Sequence, residues 1–126
     1  MAEHNVLGIQ GEQLACRFLE QRGYVILERN WHHAKHELDI IAQDGKELVI
    51  VEVKTRSSDK HGEPEDAVKP GQRSRIVKAA NAYVMASNCE LALRFDIISV
   101  ILHPLGKPYI HHIADAFYPK LNDRTL

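Results

Sequence analysis

The feature that most constrains this chain is the stretch over residues 36–56, in which two apolar runs flank the pair Asp44-Gly45. An Asp-Gly pair between apolar runs predicts a β-hairpin. Both runs carry charge where a buried strand should be apolar: Asp39 in the first, and Glu52 and Lys54 in the second. Because residues two apart on a strand project from one face, Glu52 and Lys54 should lie side by side.

The length of the hairpin loop decides whether the acidic residues meet. With a loop of two or four residues, opposed residues have numbers that sum to an odd value, and Asp39 faces Ile50 or Glu52. In either register Asp39, Glu52 and Lys54 share one face, whereas a three-residue loop would put Asp39 on the other side. Glu37 is expected to alternate away from Asp39 and is not counted as a ligand.

The remaining pattern predicts one α/β domain over residues 1–126, with the order α-β-β-β-α-β-β and loose tails at 1–6 and 119–126. The third strand is apolar on both faces, which predicts a central position, and the helix after it allows a right-handed parallel crossover. The predicted helices span about 7–22 and 71–87, a polar loop spans 57–70, and the strands span about 24–30, 36–43, 47–55, 94–102 and 107–114.

Composition excludes some classes of protein. A net charge of −1 argues against a broadly basic nucleic-acid coat, although a local basic patch is compatible with it. We expect a cytoplasmic protein with no membrane span, because the first residues lack a signal-peptide pattern and the apolar runs are short. Cys16 and Cys89 stand in apolar contexts without a CxxC pair, so we expect two buried free thiols.

Two acids and a lysine on one sheet suggest a site for a hard divalent cation. Mg²⁺ binds through one or two carboxylates and phosphate oxygens, and it activates water for hydrolysis. Lys54 would then orient the water or stabilise negative charge on phosphate. Two alternatives stay open: a salt bridge from Lys54 to Asp39 or Glu52, and a solvated strand end. Glu12 lies at the edge of the first helix's apolar stripe, either leaning toward Asp39 or exposed in the first turn.

The pattern Asp39…Glu52-Val53-Lys54 resembles the PD-(D/E)xK motif of the restriction-endonuclease-like superfamily. The likeness is closer to the YraN-like (endonuclease-like) family of small bacterial proteins and runs from about Gly8 to Phe117. The matching segments are GEQLA (11–15), GYVILERN (23–30), ELDIIA (37–42), VEVKTR (51–56), GEP (62–64), AV (67–68) and RFD (94–96).

This resemblance implies a restriction-endonuclease-like α/β fold, a mixed central sheet flanked by helices, similar in core to Holliday-junction resolvases. It implies that Asp39, Glu52 and the backbone carbonyl of Val53 bind Mg²⁺ or Mn²⁺, that Lys54 assists the nucleophile, and that Glu12 supports the site. The activity implied is hydrolysis of phosphodiester bonds in DNA, including branched or damaged DNA, in repair or recombination. A non-catalytic nucleic-acid-binding or adaptor module with the same fold is the alternative.

Three further expectations concern the surroundings of the site. The family usually has glycine where this chain has His36, and a bulkier residue would alter the strand's start or crowd a nearby phosphate. Related nucleases often pair two active sites, so a homodimer is compatible with the sequence. The alternative for the polar and basic residues after the site is a helix face that is merely solvated. As candidates for phosphate contacts, these residues are Arg56, Lys60, Lys69, Gln72, Arg73, Arg75 and Lys78.

The histidines and aromatic residues carry less weight. His32 and His36, or the pair at 111–112, have spacings that a zinc site would use, but no cysteine or further ligand has zinc-like spacing nearby. We expect these histidines to contact solvent or phosphate instead. Aromatic residues are few, which gives little support to a stacking platform for single strands.

Overall fold

The computed structural model describes residues 3–57 and 68–119. Its order of elements, α-β-β-β-α-β-β, confirms the prediction, although α1 begins at Glu3, inside the expected tail, and β1 continues to His33 through residues expected to form a loop. Residues 120–126 and most of the predicted loop lie outside the described residues. The elements are α1 (Glu3–Gln21), β1 (Val25–His33), β2 (His36–Asp44), β3 (Glu47–Ser57), α2 (Pro70–Ser87), β4 (Ala92–Leu102) and β5 (Tyr109–Ile113).

The five strands form one mixed sheet in the order β1-β2-β3-β4-β5. The pairs β1–β2, β2–β3 and β4–β5 are antiparallel, and β3 pairs in parallel with β4 over its whole length. Four consecutive residues of β3, from Leu48 to Val51, are buried, which confirms its predicted central position. A parallel pair needs a crossover connection, and α2 lies in the connection between β3 and β4.

Each face of the sheet is covered by one helix. α1 packs Ala15, Cys16 and Leu19 onto one face, where Ile40 and Val51 contribute to the same apolar cluster. The other face carries α2, whose buried residues are Ile76, Val77, Ala79 and Ala80. Neither helix combines the length and apolar character needed to cross a membrane. Of the two free thiols, Cys16 is buried as expected, whereas Cys89 is only half-buried.

The β2–β3 hairpin has the short loop that the site requires. Asp44 pairs with Glu47, so Gly45 and Lys46 form a two-residue loop, and Gly45 adopts a φ of +59°. Glycine tolerates this left-handed conformation without the steric cost that a side chain brings. Ile40 pairs with Val51, and the sum of their numbers is odd, which confirms the predicted parity of the register.

An arginine ties the opposite end of the sheet together. Arg94 on β4 donates two hydrogen bonds of 2.9 Å to Asp96, and its Nη atoms also reach Asp44, Glu47 and the Tyr24 hydroxyl. Burial raises the pKa of Asp96, but hydrogen bonds from His112 and Arg94 outweigh burial and hold that pKa below its ordinary value. The charged end of the hairpin is therefore fixed to the start of β1 and to β4.

One glycine sets how closely α1 approaches β3. Gly11 is buried, and a Cβ atom at this position would overlap Thr55 Oγ1 and come within 2.8 Å of Thr55 Cβ. Gly8, one turn earlier in the same helix, has no atom within 4 Å of an added Cβ. The absence of a side chain at Gly11 therefore lets the neighbouring Glu12 approach the sheet.

These two glycines give a matched pair of substitutions. Gly8→Ala should raise the free energy of unfolding by about 0.5–1 kcal/mol, because alanine loses less backbone entropy in a helix. Gly11→Ala should lower it by about 1–3 kcal/mol, because the methyl group forces α1 away from β3. Denaturant unfolding of both variants measures the difference. Equal stabilisation by both substitutions would contradict the close approach of α1 to Thr55.

Candidate metal centre

Asp39 lies where β2 separates from β3. The last backbone pair of this ladder is Ile40 with Val51, and beyond it the Asp39 carboxylate accepts a hydrogen bond of 2.9 Å from the Val53 amide. Leu38 packs in the cluster on the α2 side, whereas Ile40 packs on the α1 side, so the side-chain alternation of β2 is interrupted at Asp39. The Asp39 carboxylate consequently lies between the two faces rather than on one of them.

Three carboxylates converge on the α1 side of the site. Glu12, Glu37 and Asp39 each offer an oxygen, and these oxygens lie within 4.8 Å of one another. The prediction that Glu37 points away from Asp39 is wrong, because the oxygens of these two side chains lie within 4.8 Å of each other. Glu37 also pairs with His32 at 3.2 Å, and the Glu12 carboxylate is hydrogen-bonded to Asn30.

Glu52 and Lys54 approach Asp39 from β3, on the side of α2. Glu52 Oε1 lies 3.8 Å from Lys54 Nζ, and the carboxyl group of Glu52 lies within hydrogen-bonding reach of Asp39. Gln72, in the first turn of α2, joins the pair: its Nε2 donates to Glu52 Oε1 at 2.9 Å, and its Oε1 accepts from Lys54 Nζ at 3.3 Å. The first turn of α2 thus holds the acid and the lysine in fixed positions.

Burial is the main cause that disfavours the charged form of these carboxylates, and their mutual repulsion adds to it. Burial raises the pKa of Glu52 to about 8, and the nearby Asp39 charge adds to the shift. The pKa of Asp39 rises to about 6, again through burial, although the Val53 amide and Lys54 counteract part of this. Burial and the Asp39 charge also raise the pKa of Glu12. At neutral pH Glu52 therefore keeps its proton in the folded protein, whereas Asp39 is largely ionised.

The donor set suits a hard cation. Among the described residues, one group of side chains has at least three potential metal ligands close enough to share an ion. It consists of Glu12, Glu37 and Asp39, which are all carboxylates. Such oxygen ligands match Mg²⁺ or Mn²⁺, whereas zinc sites use histidine and cysteine. Asp39 belongs to this group and is also hydrogen-bonded to Glu52, so it is the residue that links the three-carboxylate group to the acid of β3.

The predicted phosphate-binding residues have different surroundings. Gln72 and Arg75 line a cleft of about 150 Å³ beside Glu37 and Glu52, with His36 on its opposite wall. Arg73 is instead half-buried at the start of α2, where its Nε donates to the Val68 carbonyl at 3.1 Å. The structure thus brings Gln72 and Arg75 to the site and gives Arg73 a role in packing.

Four other basic residues were candidates for phosphate contacts, and one of them, Lys78, is exposed on α2. Lys69 is exposed at the N-cap of α2, and Lys60 lies outside the described residues. Arg56, near the end of β3, is half-buried, and no described residue accepts a hydrogen bond from its buried Nε. A buried donor without an acceptor is costly, and the described residues do not supply the acceptor that Arg56 Nε needs.

Sequence reasoning missed two members of the site. Glu37 could have been found, because it lies two residues from Asp39, and the same two-residue spacing correctly predicted that Glu52 and Lys54 lie side by side. Asn30 could not, because its contact with Glu12 depends on how α1 crosses β1. The backbone carbonyl of Val53 stays a predicted ligand; its amide is the part that the structure shows in contact with Asp39.

The raised pKa values predict an unusual effect on stability. The folded protein keeps a proton on Glu52 between its ordinary pKa of 4.5 and its folded value of about 8, whereas the unfolded chain releases it. Stability without metal should therefore fall as pH rises through this window. Glu52→Gln should raise the free energy of unfolding at pH 8 by about 1–2 kcal/mol and flatten this dependence, as denaturant unfolding can measure.

The exposed Glu20 on α1 provides the control, since Glu20→Gln removes a carboxylate outside the site and should leave the pH dependence unchanged. A loss of stability at pH 8 in Glu52→Gln would show that the contact with Lys54 is a stabilising salt bridge, and that mutual repulsion does not dominate the site.

Comparison with known proteins places the chain in a family. Residues 11–100 match the model of the uncharacterised protein family UPF0102. A UPF0102 protein of Flavobacterium psychrophilum is 53% identical over 119 residues, covering 94% of this chain and 98% of the relative. One from Bacteroides thetaiotaomicron is 50% identical over 121 residues, covering 96% and 99%. The chain therefore belongs to UPF0102, the YraN-like (endonuclease-like) family that its motifs resemble.

Proposed function

We propose that this protein is a metal-dependent nuclease that hydrolyses phosphodiester bonds in nucleic acid, with DNA as its expected substrate. The observation that carries the proposal is that Asp39 lies with Glu12 and Glu37, their oxygens within 4.8 Å of one another, and is also within hydrogen-bonding reach of Glu52. Buried acids that repel one another are costly to the fold, and a cation-dependent reaction gives a reason to keep them.

The residues divide into those that hold the cation and those that act on the substrate. Asp39 and Glu52 hold Mg²⁺ or Mn²⁺, with Glu12 and Glu37 bound directly or through water. When bound, the cation activates water and offsets charge on the phosphate. The Val53 amide orients Asp39, because its hydrogen bond leaves the carboxylate little rotational freedom.

Lys54 supplies a positive charge beside the reacting phosphate. Its ammonium group is held by Gln72 and Glu52, and 22% of the Lys54 side chain remains exposed. An ammonium group in this position orients the attacking water and stabilises the charge that develops on the phosphate oxygens. Gln72 contacts both Lys54 and Glu52, so it fixes the distance between the cation's ligand and the lysine.

Two arginines suit contacts with the phosphates on either side. Arg75 is exposed and lines the cleft that contains Glu52, while Arg56 lies two residues after Lys54 on β3 and is half-buried. Contacts of this kind position a nucleic acid without reading its sequence, and they weaken as salt rises.

A non-catalytic binding or adaptor module is the second candidate. The net charge of −1 favours it, since nucleic-acid enzymes commonly attract their substrate with excess positive charge. Turnover distinguishes the two, because an adaptor needs the surface of the site but not the ionised pair of Asp39 and Lys54.

The deciding experiment tests purified protein on labelled linear, branched and single-stranded DNA and on RNA, with Mg²⁺, Mn²⁺ or EDTA. We expect cleavage that needs the metal and falls at least about a hundredfold in Asp39→Asn and Lys54→Ala, because each removes charge that acts in the transition state. Gel separation of the products gives the rate and the cleavage position.

Lys46→Ala is the matched control for Lys54→Ala, because Lys46 is exposed in the hairpin loop. It should retain the rate of the unaltered protein. The nuclease would be rejected if no substrate were cleaved, or if the Asp39 and Lys54 variants cleaved as fast as the unaltered protein. The adaptor would then be the better account.

A further inference from the structure

A groove continues from the candidate metal centre along α2. The small cleft beside Glu52 and a wider cleft of about 720 Å³ are both lined by His36, so they meet at this residue. The wider cleft lies between the turn that joins β1 to β2, represented by His33 and Ala34, and the second half of α2. We call the two clefts together the α2 groove.

The α2 residues of the groove follow one face of the helix. They run from Gln72 and Arg75 beside the metal centre to Lys78 and Ala82, and then to Ala86. Their spacings of three or four residues keep neighbouring side chains on one side of a helix. The distance along the axis from 72 to 86 is about 21 Å, at a rise of about 1.5 Å per residue.

The wider part of the groove combines an apolar floor with positive charge. Ala82, Ala86 and Met85 form apolar lining, and 67% of the Met85 surface is exposed. His33, on the opposite wall, stacks on Trp31 with the ring planes 7° apart. Lys78 adds a cation, and no acidic side chain is found among the described residues that line this part.

We propose that the α2 groove binds single-stranded nucleic acid that leads to the scissile phosphate, so that the substrate is a free strand or a single-stranded arm. The proposal rests on the nuclease function proposed above. A single strand offers anionic phosphates and uncovered base faces together, which matches the wider part of the groove, where Lys78 lies beside apolar and ring surfaces. A duplex covers its base faces by stacking, so it presents phosphates but nothing that fits the apolar floor.

The size of the groove agrees with such a strand. At about 3.4 Å for each stacked nucleotide, a groove of about 21 Å accommodates about six nucleotides, within the range of known single-strand sites. Arg75 and Lys78, one helical turn apart, are placed to follow successive phosphates, while Met85 and the His33 ring are placed against bases.

The test measures how tightly the full chain binds two labelled ligands, a single strand of about 12 nucleotides and the blunt duplex of the same sequence. Ca²⁺ is the cation in both measurements. We expect the single strand to bind at least about tenfold more tightly than the duplex. Met85→Glu should weaken single-strand binding about tenfold by placing an acid among the bases. Lys78→Ala should reduce the slope of log Kd against log salt by about 0.7.

Matched controls are exposed residues that do not line the groove. Leu105→Glu puts the same acid at a fully exposed apolar residue in the β4–β5 connection, and Lys46→Ala removes a lysine from the hairpin loop. Neither should alter the affinity or the salt slope. Circular dichroism and the unfolding midpoint confirm that the Met85 and Lys78 variants are folded.

The outcomes separate this proposal from the nuclease itself. The groove proposal is overturned if the Met85 and Lys78 variants bind single strands as tightly as their controls do. It is also overturned if the duplex binds as tightly as the single strand. In either case a protein segment would be the better candidate for the occupant of the groove. Metal-dependent cleavage that still requires Asp39 would leave the nuclease standing. Failure to bind or cleave any nucleic acid would reject both.

Discussion

The candidate site depends on one hydrogen bond, from the Val53 amide to the Asp39 carboxylate. β2 and β3 are joined by backbone pairs from the hairpin loop as far as Ile40 and Val51, and there the strands part. The side chain of Asp39 replaces the next backbone acceptor, so an acid is held at the fork between the strands. Residues from both faces of the sheet can then reach the same carboxylate, which neither face alone would permit.

Each helix brings one component to this fork. α1 lies close to Thr55 because Gly11 has no side chain, and this approach places Glu12 with Asp39 and Glu37. α2 brings Gln72, which joins Glu52 to Lys54. At the other end of the hairpin, the Arg94 guanidinium supplies the positive charge that pairs with Asp44 and Glu47, so these acids need no metal ion. The sheet thus pairs its charges internally at one end and leaves an excess of acid at the other, as a site that binds a cation requires.

Much of this architecture follows from local sequence patterns. The periodicity of apolar residues gives the element order, and Asp44-Gly45 gives the loop parity that brings Asp39 opposite β3. Strict alternation could not give the arrangement at Asp39 itself, because β2 is interrupted there and the carboxylate serves both faces. The bridging contacts of Gln72, the packing of Arg73 and the α2 groove depend on how α2 lies across the sheet, which single-sequence patterns do not encode.

The central claim is that the acids around Asp39 share one hard cation. A crystal structure of the protein with Mn²⁺, with anomalous data collected at the manganese edge, tests it most directly. The account predicts one peak within about 2.3 Å of an Asp39 oxygen, with Glu52 or Glu12 completing the protein ligands, and its loss in Asp39→Asn. A peak held by histidines elsewhere, or an empty fork at millimolar Mn²⁺ with the carboxylates paired to Lys54 alone, would contradict it.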